Sequence, residues 1–156
     1  MTHPTECSCQ QFELYSAEQQ IRSRPVPAAD LQRFVDDLRE TSYWERNFPN
    51  VRRIECHVRR SNGKGSVGWF EKELDCGVID MAPVHLTELY VLHEVSHVLA
   101  SARYGSQAHC PWFARTYLEL ASVHLPSETY LALQASFDRG GIDYDHQSSA
   151  PAGIAL

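Results

Sequence analysis

Leu89-Tyr90-Val91-Leu92-His93-Glu94-Val95-Ser96-His97-Val98-Leu99-Ala100 is the stretch from which the rest of the chain is read. Residues four apart on an α-helix lie about 40° apart around its axis, so His93 and His97 project from one face toward a common point. Two imidazoles so placed can grip one metal ion. Glu94, about 60° round from His97, is near enough to act as general base toward a water held there, the H-E-x-x-H arrangement of metallopeptidases. With 8 His in 156 residues, chance supplies only roughly 0.03 such patterns. The plainer reading is a buried helix whose two histidines are satisfied by hydrogen bonds. A third ligand separates the two readings, because catalytic zinc takes three protein ligands and keeps one position open.

Working outward, Thr87 suits the N-cap of this helix and Glu88 complements its positive end. Leu89, Val91, Leu92, Val95, Val98 and Leu99 make it apolar nearly all round, which calls for burial between a sheet and other helices. Gly105 can take the left-handed cap after Tyr104. Ser106-Gln107-Ala108 is a short loop, and Pro111 opens the next helix, with Phe113, Ala114, Tyr117, Leu118 and Ala121 as its buried face. Reversal through that loop brings His109 back beside the motif helix, which makes His109 the best third ligand. Its rival is Glu119 on the following helix, as in zinc sites of the His-His-Glu type. That pattern usually carries an Asp four residues later, where this chain has Val123. A last helix is expected from Ser127 to Phe137, stopped by Gly140-Gly141, with residues 142–156 as a disordered tail.

Upstream, residues 1–10 read as a flexible end, and Phe12, Leu14, Tyr15, Ala17 and Ile21 suit a short helix closed off by Pro25 and Pro27. Leu31, Phe34, Val35 and Leu38 recur at helical spacing, which predicts an amphipathic helix over 29–41, followed by a packed loop holding Trp44, Phe48 and Pro49. The period changes at Val51. Ile54, Cys56 and Val58 alternate with Arg53, Glu55, His57 and Arg59 as in a half-buried strand. Ser61-Asn62-Gly63-Lys64-Gly65 supplies a turn, a second strand runs from Ser66 to Lys72 and a third from Gly77 to Ala82. Short links imply an antiparallel meander, with parallel pairing of the third strand left open. Arg52, Arg53, Arg59, Arg60 and Lys64 gather on the first two strands and their turn. They are read as a solvated outer face rather than a phosphate-binding one.

The length fits one domain, expected over residues 11–141. No apolar run approaches the ~20 residues that span a bilayer and the N-terminus lacks the pattern of a signal peptide, so a cytoplasmic location is expected. Cys7, Cys9, Cys56, Cys76 and Cys110 are an odd set without C-x-x-C spacing, which argues against a disulfide framework. Cys7 and Cys9 remain candidates for a second metal site. A net charge of −6 is unfavourable for a nucleic-acid binder.

The segment His109-Cys110-Pro111-Trp112-Phe113 resembles the H-G-P-x-F setting of the third ligand in SprT-like (Spartan-like) zinc metallopeptidases. The stretch from Val78-Ile79-Asp80-Met81 through Leu118 is also similar to a family of metallohydrolases from actinobacteria and their phages. So are Tyr15-Ser16-Ala17-Glu18-Gln19 and Phe113-Ala114-Arg115-Thr116-Tyr117-Leu118-Glu119-Leu120. The likeness spans most of residues 12–139, with the zinc motif its one specific part. Cys110 stands where the family has glycine, which admits a thiolate as an alternative ligand. The H-E-x-x-H-x-x-G-x-x-H pattern of metzincins is absent. The family's DNA-reaching zinc ribbon or basic tail is not seen, so no DNA role is carried over.

The expectation is an α+β, zincin-like domain: a small, mostly antiparallel three-stranded sheet on a buried H-E-x-x-H helix with supporting helices. One Zn2+ per chain is expected on His93, His97 and His109, with Glu94 as general base in hydrolysis of a peptide or protein substrate. Tyr104, Tyr117 and Arg103 are candidate oxyanion donors. The third strand, if it is the sheet edge beside the motif helix as the resemblance implies, would hold the peptide by strand addition. The competing class is a binding or scaffolding module with a structural zinc, closed by Cys110 or Glu119 as fourth ligand.

Overall fold

The computed structural model describes residues 10–105 and 108–144. The expectations for residues 1–9, including Cys7 and Cys9, for Ser106 and Gln107, and for residues 145–156 lie outside this range. Among the described residues the chain is α+β, with six α-helices and one three-stranded mixed sheet. The helices are α1 (Gln11–Glu18), α2 (Leu31–Arg39), α3 (Ser42–Asn47), α4 (Glu88–Tyr104), α5 (Pro111–His124) and α6 (Ser127–Gly140). The strands are β1 (Arg53–Val58), β2 (Val67–Glu71) and β3 (Cys76–Met81). No described helix is long and apolar enough to cross a membrane.

The motif helix α4 is the centre of the core, and every residue from Val91 to Ala100 is buried. Such a helix must find partners for its first N–H groups away from water, and it does. Glu88 N–H donates to the Arg24 carbonyl, Leu89 N–H to Ser23 Oγ and Tyr90 N–H to the expected N-cap, Thr87 Oγ1. Gly105 closes the other end at φ +69°, a conformation that glycine takes without Cβ strain.

The sheet differs from the expected meander. Its order is β1-β3-β2, with β1 parallel to β3 and β2 antiparallel to it. The loop after β1 therefore does not make a hairpin; it crosses the end of β3. Ser66 Oγ accepts from Ala82 N–H, Asn62 Oδ1 accepts from Val84 N–H, and Arg59 pairs with Asp80 at 3.3 Å. These polar ties bind the loop to the exit of β3. The middle position falls to the most buried strand, as its run Gly77-Val78-Ile79 suits. A side chain at Gly77 would stand 2.4 Å from Val98 Cγ1, so the missing Cβ lets the sheet lie close on α4. The expectation of β3 as the edge beside the motif helix is thus corrected. That edge is β2, whose Gly68 crosses α4 so closely that a Cβ would lie 2.2 Å from the Glu94 carbonyl oxygen.

Three further boundaries moved. Trp44, read as part of a loop, sits in α3, whose N-cap is Thr41; its indole donates to the Val51 carbonyl at 3.1 Å. α6 extends past Phe137 to Gly140, and Gly141 takes the left-handed cap at φ +66°. Residues 142–144, grouped with the tail on sequence, are packed: Ile142 is buried, and the Gln10 side chain bonds to the Asp143 backbone.

Candidate metal centre

Three side chains converge on one point. His93 and His97 come from α4, and His109 precedes the N-cap of α5. The loop carrying His109 is held by α1, since Gln10 N–H donates to the His109 carbonyl at 3.0 Å. The Nε2 atoms of His93 and His109 are 3.1 Å apart, and those of His97 and His109 are 3.0 Å apart. All three residues are buried, at 1, 7 and 7% exposure. Tetrahedral zinc with Zn–N bonds of 2.0–2.1 Å puts its nitrogens about 3.3 Å apart, within a few tenths of an ångström of what is seen. The three histidines form a group that can hold a metal ion.

His93 Nδ1 is 2.6 Å from Glu18 Oε1, and when the imidazole carries the proton of that pair its Nε2 turns a lone pair to the centre. A single hydrogen on His109 Nε2 cannot lie along the lines to both His93 and His97, whereas a cation accepts all three lone pairs. Burial lowers the His93 pKa to about 3 and the His109 pKa to about 4, so both rings are neutral, the form that binds metal.

Two carboxylates border the cluster. Oε2 of Glu94 is buried without a hydrogen bond, in a residue that is 5% exposed, and Glu18, 1% exposed, stands within hydrogen-bonding reach of Tyr117 as well as of His93. Burial pushes each pKa up to about 8 in the absence of a cation. Buried acids without a counter-charge are costly, and a divalent ion on the histidines would supply one. Glu94 also receives a backbone hydrogen bond from Gly68, which opposes the rise. Behind the ligands, the ring of Phe113 stands 4.2 Å from His97 and 5.0 Å from His93, and that of Tyr117 stands 5.6 Å from His93.

The other expected site residues lie elsewhere. Glu119, the rival ligand, is taken up on α5: its Oε2 accepts from Tyr43 OH at 2.8 Å and its Oε1 from Arg115 Nε at 3.0 Å. Neither Glu119 nor the buried Cys110 belongs to the converging group. Arg103 lies over the rings of Phe48 and Tyr104, and Tyr104 stacks on Trp112 at 4.8 Å. Of the three expected donors only Tyr117 touches a ligand. Its ring is fully buried and its hydroxyl is taken up by the Leu89 carbonyl at 3.1 Å and by Glu18.

Glu18, Tyr15 and Gly68 are site residues that the sequence reading passed over. A signal existed for Glu18, because Leu14, Ala17 and Ile21 mark the inward face of α1 and Glu18 falls on it as a charge among apolar positions. Tyr15 lies one turn earlier and stacks on His93, with ring centroids 5.7 Å apart and planes 6° apart. Comparison with protein-family models, with curated proteins and with solved structures returned no match.

Proposed function

We propose that the chain is a zinc-dependent metallohydrolase, related to SprT-like metallopeptidases and zincin-like in fold, that cleaves peptide bonds. The observation that carries this reading is the convergence of three buried imidazole nitrogens beside a buried carboxylate, Glu94, that has an oxygen to spare. His93, His97 and His109 would hold a zinc ion, which when bound would supply Lewis acidity toward a carbonyl and lower the pKa of water. Glu94 takes the proton of the attacking water and delivers it to the leaving amine. Glu18 fixes the tautomer and ring orientation of His93 from behind, as carboxylates paired to metal-bound histidines do.

The enzyme reading is favoured over a structural zinc because the converging group among the described residues has three members, which leaves tetrahedral zinc one position short of closure. A peptide is the substrate that the adjoining sheet suits. β2 has β3 on one side only, and Gly68, in that edge strand, meets Glu94. An extended chain added along β2 would pass the general base with its main-chain groups paired.

The test is Glu94→Gln. Zinc content and folding should survive, while cleavage of a mixed peptide library, or of the protein itself, should fall by about 10² to 10⁴. Equal cleavage by the variant would end the assignment of Glu94.

A further inference from the structure

A second group of polar side chains lies one turn of α4 away from the histidine cluster. Tyr90 comes three residues before His93 and four before Glu94, on the same face of the helix. Its ring stacks on that of His85, with centroids 4.7 Å apart and planes 18° apart. His85 Nδ1 is 3.0 Å from Ser66 Oγ, and Ser66 leads directly into β2, the strand that crosses Glu94. The backbone around His85 is tied down: its N–H donates to the Ala82 carbonyl at 2.9 Å, and Val84 N–H donates to Asn62 Oδ1 at 3.0 Å. His85 and Tyr90 thus stand on fixed supports between the entry of β2 and α4.

Hydrogen bonding decides which nitrogen of His85 carries the proton. Burial holds the His85 pKa below its usual value, so the ring is neutral. Ser66 Oγ already accepts from Ala82 N–H at 2.9 Å, and its own hydrogen finds an acceptor in His85 Nδ1. That puts the imidazole proton on Nε2. The opposite tautomer would leave the Ser66 hydrogen without an acceptor among the described residues. Neither His85 Nε2 nor the Tyr90 hydroxyl has a partner among the described residues; both rings are half-buried and neither atom is sealed from water. Two neighbouring donors without partners call for an acceptor with two oxygens and no hydrogen, which is a carboxylate. The nearby charges oppose one another and each has its own partner: Arg59, which acts on His85, is paired with Asp80, and Glu18, which acts on both rings, is paired with His93.

We propose that His85 and Tyr90 form a carboxylate-binding site, with Ser66 holding the imidazole in its donating tautomer. A peptide offers such a group at an acidic side chain or at its chain end. Beside the hydrolase reading above, the site would favour acidic peptides as substrates, but it is tested without metal or turnover.

The experiment records the proton–nitrogen NMR spectrum of the imidazoles in the isotope-labelled full chain, with the His85 signals assigned by their loss in His85→Gln. Three probes are titrated. N-acetylglutamate α-amide carries its one carboxylate on the side chain, N-acetylalanine carries its one at the chain end, and N-acetylglutamine α-amide has none. His85 should be protonated at Nε2 alone, and its Nε2 signal should move saturably with one or both carboxylates and not with the glutamine amide. Movement with the first alone assigns the site to acidic side chains, and with the second alone to chain ends. Tyr90→Phe keeps the stack and should weaken the carboxylate Kd by about tenfold, the usual loss for one hydrogen bond to a charged oxygen. A proton on Nδ1, no saturable movement with either carboxylate, equal movement with the glutamine amide, or an unchanged Kd in Tyr90→Phe overturns the proposal.

Discussion

Two helices supply the polar groups around the histidine cluster, and they do so on different terms. α4 spans 17 residues, is capped at both ends and buries ten consecutive residues, His93, Glu94 and His97 among them. α1 spans 8 residues, has no side-chain cap, and reaches the cluster with Tyr15 and Glu18 from an otherwise mostly exposed surface. An isolated helix of eight residues is not stable in water. α1 is held instead by its ties to the His109 loop, to α6 and to His93. His93, Glu94 and His97 therefore sit on the most deeply buried helix, and Tyr15 and Glu18 sit on one that depends on the rest of the fold for its support.

This contrast sets an order of expected effects. Loss of the Glu94 carboxylate should cost the most, the 10² to 10⁴ in cleavage given above, with no loss of metal. Glu18→Gln comes next. The amide can still accept from His93 but carries no charge, so zinc affinity measured by chelator competition should drop by about 10- to 100-fold. Retention of full affinity would show that α1 packs against the site without tuning it. At the smaller end are substitutions that weaken one helix without touching the cluster. Thr87→Ala removes the N-cap of α4 and should lower stability by about 1 kcal/mol in denaturant unfolding. Ser136→Ala removes one hydrogen bond to α1, also worth about 1 kcal/mol. If the two helices differ as described, only Ser136→Ala should also loosen zinc, because only it frees the helix that carries Glu18.

The same contrast explains what could be read from the sequence. α4 announced itself through local signals: the motif, Thr87 before it, Gly105 after it and an unbroken apolar run. His109 followed from the short reversal. Glu18 and Tyr15 acquire their roles only because α1 docks beside His93, 75 positions later in the chain for Glu18, and no local pattern encodes that contact. The strand order was missed for a related reason. All three strands were located within a residue or two and parallel pairing of the third was left open, yet its central place goes with the burial of β3 and the polar ties of the loop after β1, both long-range. Glu119, the rival ligand, is held away from the converging group by Tyr43, which lies on α3, a helix the sequence reading took for a loop.

The central claim is a three-histidine metal site, and zinc stoichiometry tests it most directly. Elemental analysis of wild type, His109→Ala and Glu119→Ala, each purified from zinc-replete medium, should give close to one zinc per chain for wild type and for Glu119→Ala, and a sharp fall for His109→Ala. Full zinc in His109→Ala with loss in Glu119→Ala, or no zinc in wild type, would contradict the account.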